Sequence, residues 1–360
     1  MPMRILFLAR RYPPCVGGIE TCCYQLYTRL SPRVSMRLVA LRRQSLLHLA
    51  WFLPWCLWVS FWALALRRVD TVYFSDGVVS ALAPVLRPFS RARFVVTVYG
   101  LELTYRNAVA RWLMRRGAHT CDRVAVISQH TRNLALQAGV PAAKLALIYV
   151  GVEPLMLAEE RCQELRERFA QEHGVQLGRE RLLLNYGRLV PRKGMAAFLE
   201  KGLPLLEPDL KLLIGGRGPE LERLRQVRQA QGLEERVLIL GPLADETVAM
   251  LRQSADLFLM PNVPTPGDVE GFGMTHLESM YAGLPVVAFA VDALVESARC
   301  GGYLIPAGQY QAFADQIHAY YALSAEQQQA KAEEARAYVR AEYSWEQTAR
   351  QYLDLFTGRS

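Results

Sequence analysis

Short β-rich runs alternate with helical stretches along nearly the whole chain, and no other feature restricts the fold as much. Candidate strands are Arg4–Ala9, Met36–Leu41, Thr71–Phe74, Phe94–Val98, Arg123–Ile127 and Leu145–Tyr149, with candidate helices at Glu20–Leu30, Leu46–Leu66 and Ala108–Arg116. The theme returns with Leu182–Tyr186, Lys211–Ile214, Val237–Leu240, Leu257–Met260 and Val286–Ala288 as strands. Such an order predicts parallel sheets wound with helices on both faces, an α/β fold. A length of 360 residues is about twice that of a usual domain, so two doubly wound domains are expected. The polar run Glu159–Glu180 is expected to hold the boundary and a helix, which divides the chain into 1–160 and 161–344. Ser344 is a plausible N-cap for a last helix over 345–358. Ligands of doubly wound sheets sit outside the carboxyl ends of the strands, and each candidate motif follows a candidate strand.

Charge divides the chain unevenly. Residues 1–150 hold 20 Arg or Lys against 5 Asp or Glu, whereas 151–360 hold 22 against 29. A basic half beside an acidic one points to anionic lipid or phosphate as the partner of the first. No nucleic-acid motif accompanies the basic half, so nucleic acid is not expected. Seven cysteines without a C-x-x-C pair argue for reduced thiols in a cytosolic setting. The apolar run Met3–Ala9 meets Arg10-Arg11 too early for a signal peptide and reads as a first buried strand.

Leu46–Leu66 is almost wholly apolar and carries four of the six tryptophans, Trp51, Trp55, Trp58 and Trp62, on one helical stripe. Arg42-Arg43 and Arg67-Arg68 bracket it. A core helix with an aromatic face, an interfacial helix with arginines on anionic lipid, and a spanning helix are the three readings. Pro54 interrupts the run, and the candidate strand at 71–74 follows directly; both disfavour spanning.

Four loops carry candidate chemistry. After the first strand, Pro13–Thr21 includes Gly17 and Gly18, a Gly-Gly turn into a helix that suits backbone contact with a diphosphate. Asn185–Gly194 places Arg188 at a strand end and Lys193 in the next loop, so two cations can converge on two phosphates. Gly215–Glu220 includes Gly216 and Gly218 in a turn where shaping the fold and touching a nucleotide are both open, with Pro219 suited to a helix N1 position. Met260–Ala288 holds Glu270, Gly271, Phe272 and Gly273 before a helix starting near Met274, and Glu278 within that helix. Its glycines let backbone approach a ligand, its helix N-terminus attracts negative charge, and Gly283 with Pro285 stops the helix.

Together these motifs resemble those of the retaining glycosyltransferases of family 4, which have the GT-B fold of two Rossmann-like domains facing across a cleft. The resemblance implies that Arg188, Lys193 and main-chain amides stabilise a departing nucleoside diphosphate. It makes Glu270, Phe272 and Gly273 ligands of the donor sugar, Glu278 the partner of the ribose hydroxyls, and Gly17, Gly18, Gly216, Gly218 and Gly271 part of the donor site. Arg188, Lys193 and Glu270 are thus the catalytic candidates, and the last helix is expected to return to the first domain. No Asp-x-Asp occurs, so neither a metal nor a cofactor is expected. Tyr99 stands where the family usually has His; with Glu102 it forms the acceptor-side candidates. Val150 is a second departure, at a place where Asn is frequent. The implied activity is metal-independent transfer from a UDP- or GDP-sugar to a glycan or lipid-linked acceptor. The expected location is cytoplasmic, peripheral at the inner face of the cytoplasmic membrane, with residues 42–68 on the anionic surface. An epimerase of the same fold and a weakly active, membrane-anchored binding subunit are the rivals.

Overall fold

The computed structural model describes residues 3–15, 17–43 and 46–358; Val16, inside the first glycine loop, lies outside them. Two compact units emerge. The first comprises Met1–Gly151, Gly267–Phe272 and Tyr343–Ser360, and the second Val152–Pro266 and Gly273–Glu342.

The first unit is built on six parallel strands: β1 (Arg4–Ala9), β2 (Ser35–Ala40), β3 (Thr71–Phe74), β4 (Arg93–Val98), β5 (Arg123–Val126) and β6 (Leu145–Leu147), in the order β2-β1-β3-β4-β5-β6. β1, β3, β4 and β5 are buried on both faces, which is why they read as unbroken apolar runs. The last helix, Trp345–Thr357, packs in this unit. A buried hydroxyl chain fastens it there: Thr97 Oγ1 lies 2.7 Å from both Tyr73 Oη and Tyr352 Oη.

The second unit has its own six parallel strands: β7 (Leu182–Arg188), β8 (Lys211–Arg217), β9 (Val237–Gly241), β10 (Leu257–Met260), β11 (Val286–Phe289) and β12 (Gly302–Ile305), ordered β12-β11-β10-β7-β8-β9. β12 is not among the expected strands; it is four residues long, begins on glycine and is only half-buried at three positions.

Three expectations need correction. The division falls at Gly151/Val152, because the following extended residues are tied into the second unit: Leu157 exchanges backbone hydrogen bonds with the Gln253 side chain at 2.9 and 3.1 Å. A boundary after residue 160 would cut the helix Glu159–His173. Gly267–Phe272, expected within 161–344, groups with the first unit, where a Cβ on Gly271 would come 2.3 Å from the Tyr99 carbonyl oxygen. Finally, Pro54 does not break its helix, which runs unbroken over Leu46–Ala65. Ala50, whose carbonyl loses its partner to Pro54, is exposed, so water can take the vacated bond.

That helix is sharply two-faced. Phe52, Cys56, Val59 and Ala63 repeat at four, three and four residues and are at most 5% exposed, while the tryptophan stripe stays 46–54% exposed. It is long and apolar enough to cross a membrane by length and composition. Its buried stripe, however, sits in the core of the first unit as the crossover between β2 and β3, so it covers the sheet instead of leaving it.

Candidate functional site

In the second sheet the winding reverses at β7, whose neighbours are β8 on one side and β10 on the other. A reversal of this kind opens a crevice outside the carboxyl ends of the two strands. Arg188 ends β7 and is exposed, and its side chain makes no hydrogen bond or ion pair among the described residues. The loop after it is held down. Leu189 N–H donates to the Arg217 carbonyl at 2.8 Å, and Val263 N–H donates to the Arg192 carbonyl at 2.9 Å. Asn185 bridges β7 to β10, its Nδ2 donating to the Leu259 carbonyl at 2.8 Å. Lys193 is only 8% exposed, with Nζ 4.0 Å from Met260 Sδ. One open and one buried cation therefore stand on fixed backbone at the reversal, and fixed charge is what stabilises a developing anion at no cost in reorganisation.

The glycines of β8 serve that loop. A Cβ on Gly216, at φ 132°, would lie 1.8 Å from the Gly187 carbonyl oxygen, and one on Gly218 would lie 2.0 Å from that of Leu189. Both allow β8 to close on the end of β7, so they shape the turn. Pro219 precedes Glu220, the N-cap of Leu221–Ala230, and is not at the first helical position. Gly273, at φ 83°, is the N-cap of Met274–Tyr281, and a Cβ there would meet the buried His276 ring at 2.5 Å.

Glu278 is not an open carboxylate. Its Oε2 accepts from Nη2 of Arg252, a residue 7% exposed at the end of the helix Asp245–Arg252. Arg252 thus takes one acceptor site of Oε2, leaving Oε1 and the second lone pair of Oε2 for hydroxyl donors. Tyr186, at the same strand end as Arg188, has its phenol pKa pushed up by burial, with Arg252, Asp245, Glu278 and Arg217 acting on it. Sequence reasoning passed over Arg252 and Tyr186: an arginine closing a helix and a tyrosine on a strand both read as ordinary scaffold.

The first sheet reverses at β1, between β2 and β3. Gly17 is the N-cap of Gly18–Leu30, yet the space before it is not an empty anion cradle. A Cβ on Gly17 would lie 2.5 Å from Oε2 of Glu20, which is 2% exposed and receives Arg11 Nη1 at 2.8 Å. A carboxylate therefore stands beside this helix N-terminus, within reach of its positive end. Beside it, Arg10 Nε lies 2.9 Å from Oδ2 of the fully buried Asp76. Burial opposes the Arg10 charge, but Asp76, Glu102 and Glu20 outweigh it and keep its pKa above the ordinary value. Arg10 followed the first strand in the sequence, and only that position marked it.

The acceptor-side candidates are turned inward. Glu102 is 6% exposed and accepts the backbone N–H of Tyr99 at 3.1 Å and of Gly77 at 3.5 Å. Burial, then Asp76, raises its pKa. It positions the loops after β3 and β4 and is not open to an acceptor hydroxyl. Tyr99 is partly exposed as a residue, but its hydroxyl is buried against the Cys22 thiol, with which it hydrogen-bonds, and near Tyr73, Cys23 and Tyr352. It therefore cannot hydrogen-bond a bound sugar from this position. Tyr99→Phe is expected to change stability by no more than about 1 kcal/mol, since only a weak hydrogen bond to the Cys22 thiol is lost. Turnover should be unchanged; a chemical-denaturation curve and a rate assay check both.

Glu270 (7% exposed) and Phe272 (4% exposed) lie in the stretch that groups with the first unit. The Phe272 ring stands 6.4 Å from Tyr149 and 5.5 Å from Tyr343, an aromatic anchor for the Glu270–Gly271 backbone. The structure thus collects Arg188, Lys193, Gly216, Gly218, Gly273 and Glu278 in the second unit. Gly17, Gly18, Tyr99, Glu102, Glu270, Gly271 and Phe272 belong to the first.

Comparison with known proteins agrees with this division. Residues 16–154 match the family model described as Glycosyltransferase Family 4, and residues 166–338 match Glycosyl transferases group 1. A GDP-mannose-dependent alpha-(1-6)-phosphatidylinositol monomannoside mannosyltransferase of Mycolicibacterium smegmatis is 33% identical over 228 residues, covering 61% of this chain and 58% of the relative. The protein of the same name from Mycobacterium tuberculosis is 29% identical over 307 residues, covering 82% of this chain and 77% of its own length. Among solved structures, HepE of Anabaena in complex with UDP superposes with a TM-score of 0.77 at 20% identity, over 99% of this chain and all of the other. Two doubly wound units, a cation pair at the reversal of the second sheet and two family matches that together span most of the sequence lead to one assignment: the chain belongs to glycosyltransferase family 4 and has the GT-B fold.

Proposed function

We propose that this chain moves a sugar from a nucleoside-diphosphate sugar, UDP- or GDP-linked, to a glycan or lipid-linked acceptor at a membrane, with retention and without a metal. The observation that carries the reading is Arg188, exposed and without a partner among the described residues at the reversal of the second sheet, with Lys193 fixed five residues on. As the bond between sugar and diphosphate breaks, negative charge grows on the leaving group, and these two cations are placed to meet it. They take the part a metal plays elsewhere. Tyr186, Arg252 and Glu278 form the polar cluster next to them that suits the nucleoside. Glu270 suits a donor sugar, on which positive charge develops.

Relatives supply the substrate classes. The mycobacterial proteins are named for GDP-mannose and a phosphatidylinositol mannoside, and the Anabaena protein binds UDP. A lipid-linked acceptor accords with the exposed tryptophan stripe of Leu46–Ala65 and with the arginines at 42, 43, 67 and 68 that flank it. On this reading the protein is cytoplasmic and peripheral, on the inner face of the cytoplasmic membrane.

A thermal-shift panel of UDP- and GDP-sugars tests the donor site, and release of nucleoside diphosphate with and without added acceptor tests transfer. Stabilisation by at least one donor and acceptor-dependent release are expected. Release that ignores the acceptor, or binding with no turnover, would sink transfer in favour of an epimerase or a binding subunit. For the membrane, Trp55→Ala with Trp58→Ala is expected to lower co-flotation with anionic vesicles about tenfold or more, since each indole loses on the order of 1 kcal/mol of burial. Unchanged flotation would remove the membrane from the proposal.

A further inference from the structure

The helices of the first unit are not shared evenly between the two sides of its sheet. Right-handed crossovers put Gly18–Leu30, which leads from β1 to β2, on one side, where the last helix Trp345–Thr357 joins it. The connections β2 to β3, β3 to β4 and β4 to β5 all step the other way, so Leu46–Ala65, Gly77–Phe89 and Ala108–Thr120 lie side by side on the opposite side. Their inner residues confirm it: Phe52, Val79, Leu86 and Ala118 belong to one buried cluster with β1 and β4.

The outer surface of this layer stays apolar well beyond the tryptophan helix. Phe61 meets Phe89 edge-on at 5.5 Å, which carries the apolar surface onto the second segment, where Phe89 is 59% exposed. Gly117 then brings the third helix close, for a Cβ there would lie 2.3 Å from the Ser80 carbonyl oxygen. On that helix Val109, Trp112, Leu113 and Arg116 recur at three, four and seven residues and all face outward. Val109 is 67% and Trp112 56% exposed, with the Arg116 guanidinium 5.4 Å from the indole centre. The buried side of the helix is mostly small, Gly117 and Ala118 with Met114, so its largest apolar groups are the ones left in solvent.

Charge selects the occupant. Arg37–Val69 carries five arginines and no acid, and Gly77–Cys121 carries seven arginines and one acid, the buried Glu102. Asp70 and Asp122, which follow these stretches, are each paired with an arginine, Arg4 and Arg87. An aromatic surface with this excess of guanidinium groups matches the interface of an anionic bilayer, with indoles at headgroup depth and arginines on phosphate.

We propose that the bilayer is met by this whole layer, with Ala108–Thr120 entering the interface beside Leu46–Ala65, and that the occupant is an anionic lipid membrane. The inference rests on the membrane-associated reading above and deepens it. Two helices in the interface fix an orientation that one cannot. Crossover helices run antiparallel to the strands, so the N-terminal ends of both lie at the carboxyl edge of the sheet, where Arg10 and Asp76 stand. A lipid-linked acceptor held in the bilayer can then present its head group to that edge.

The test uses the full chain with phosphatidylcholine vesicles, with or without about one third phosphatidylglycerol. In a variant whose other five tryptophans are phenylalanine, Trp112 emission is expected to fall by about half or more on brominated anionic vesicles. Independently, Trp112→Glu in the native chain should weaken partitioning about tenfold with an unchanged melting temperature, since the site is exposed; this arm decides alone if the five-fold variant does not fold. Trp112 unquenched on vesicles with which that variant still floats, or Trp112→Glu without effect while the native chain still floats, overturns the two-helix surface and leaves docking through the tryptophan helix standing; if the five-fold variant does not float, Trp112→Glu decides. Equal binding to neutral vesicles overturns the anionic assignment, and a native chain that does not float removes both readings.

Discussion

Arg188→Ala is expected to lower kcat/KM for sugar transfer by about 10²–10³, the usual cost of removing one fixed group from a site of developing charge. Folding should be untouched, because the Arg188 side chain is exposed and makes no hydrogen bond or ion pair among the described residues. Most of the loss should appear in kcat, since the charge that Arg188 meets is greatest in the transition state. Lys193→Ala offers the contrast: activity falls as far, but stability falls as well, because Lys193 is buried against Met260. Steady-state kinetics with melting curves separate the two. Native rates in the Arg188→Ala enzyme would rule out stabilisation of the leaving group by this side chain.

Gly194→Ala should be among the most destabilising single methyl additions to the site, with Gly216→Ala. Gly194 sits at φ 67°, and the new Cβ would lie 1.9 Å from the Pro261 carbonyl oxygen, backbone that is itself pinned through Val263 to Arg192. Left-handed strain and overpacking add, so a loss of about 2–4 kcal/mol is expected. For a protein of this size that is a fall in Tm of about 3–5 °C. Gly174→Ala is the control: φ is 70° and nothing lies within 4 Å, so strain acts alone and the cost should be about 1 kcal/mol. Similar melting temperatures for the two variants would show that the loops after β7 and β10 are not locked together.

What was legible beforehand follows from where the physics is local. Strands buried on both faces are apolar at every position, so β1, β3, β4, β7 and β10 announce themselves, and Gly283 at φ 87° stops its helix through its own backbone. β12 escaped because three of its four residues are only half-buried. Pro54 misled for a related reason: the cost of a proline inside a helix falls when the vacated carbonyl reaches water and the helix is held by packing, and both are tertiary properties.

The site divides in the same way. Which residue types stand at the strand ends, Arg188 and Lys193 after β7, Gly216 and Gly218 at β8, Glu278 in the helix before β11, is a matter of order along the chain, and the sequence by itself determined it, together with the family and the fold. Which of those groups is open, and which is already engaged, depends on partners far away in the chain. Glu278 is engaged by Arg252 from 26 residues away, Glu102 by the backbone at Gly77, and the Tyr99 hydroxyl is enclosed among residues as distant as Tyr352. A carboxylate or a phenol looks the same in any sequence; only packing decides whether its polar atoms meet water, a ligand or another part of the protein, because burial and pairing belong to the folded surface and not to the order of residues.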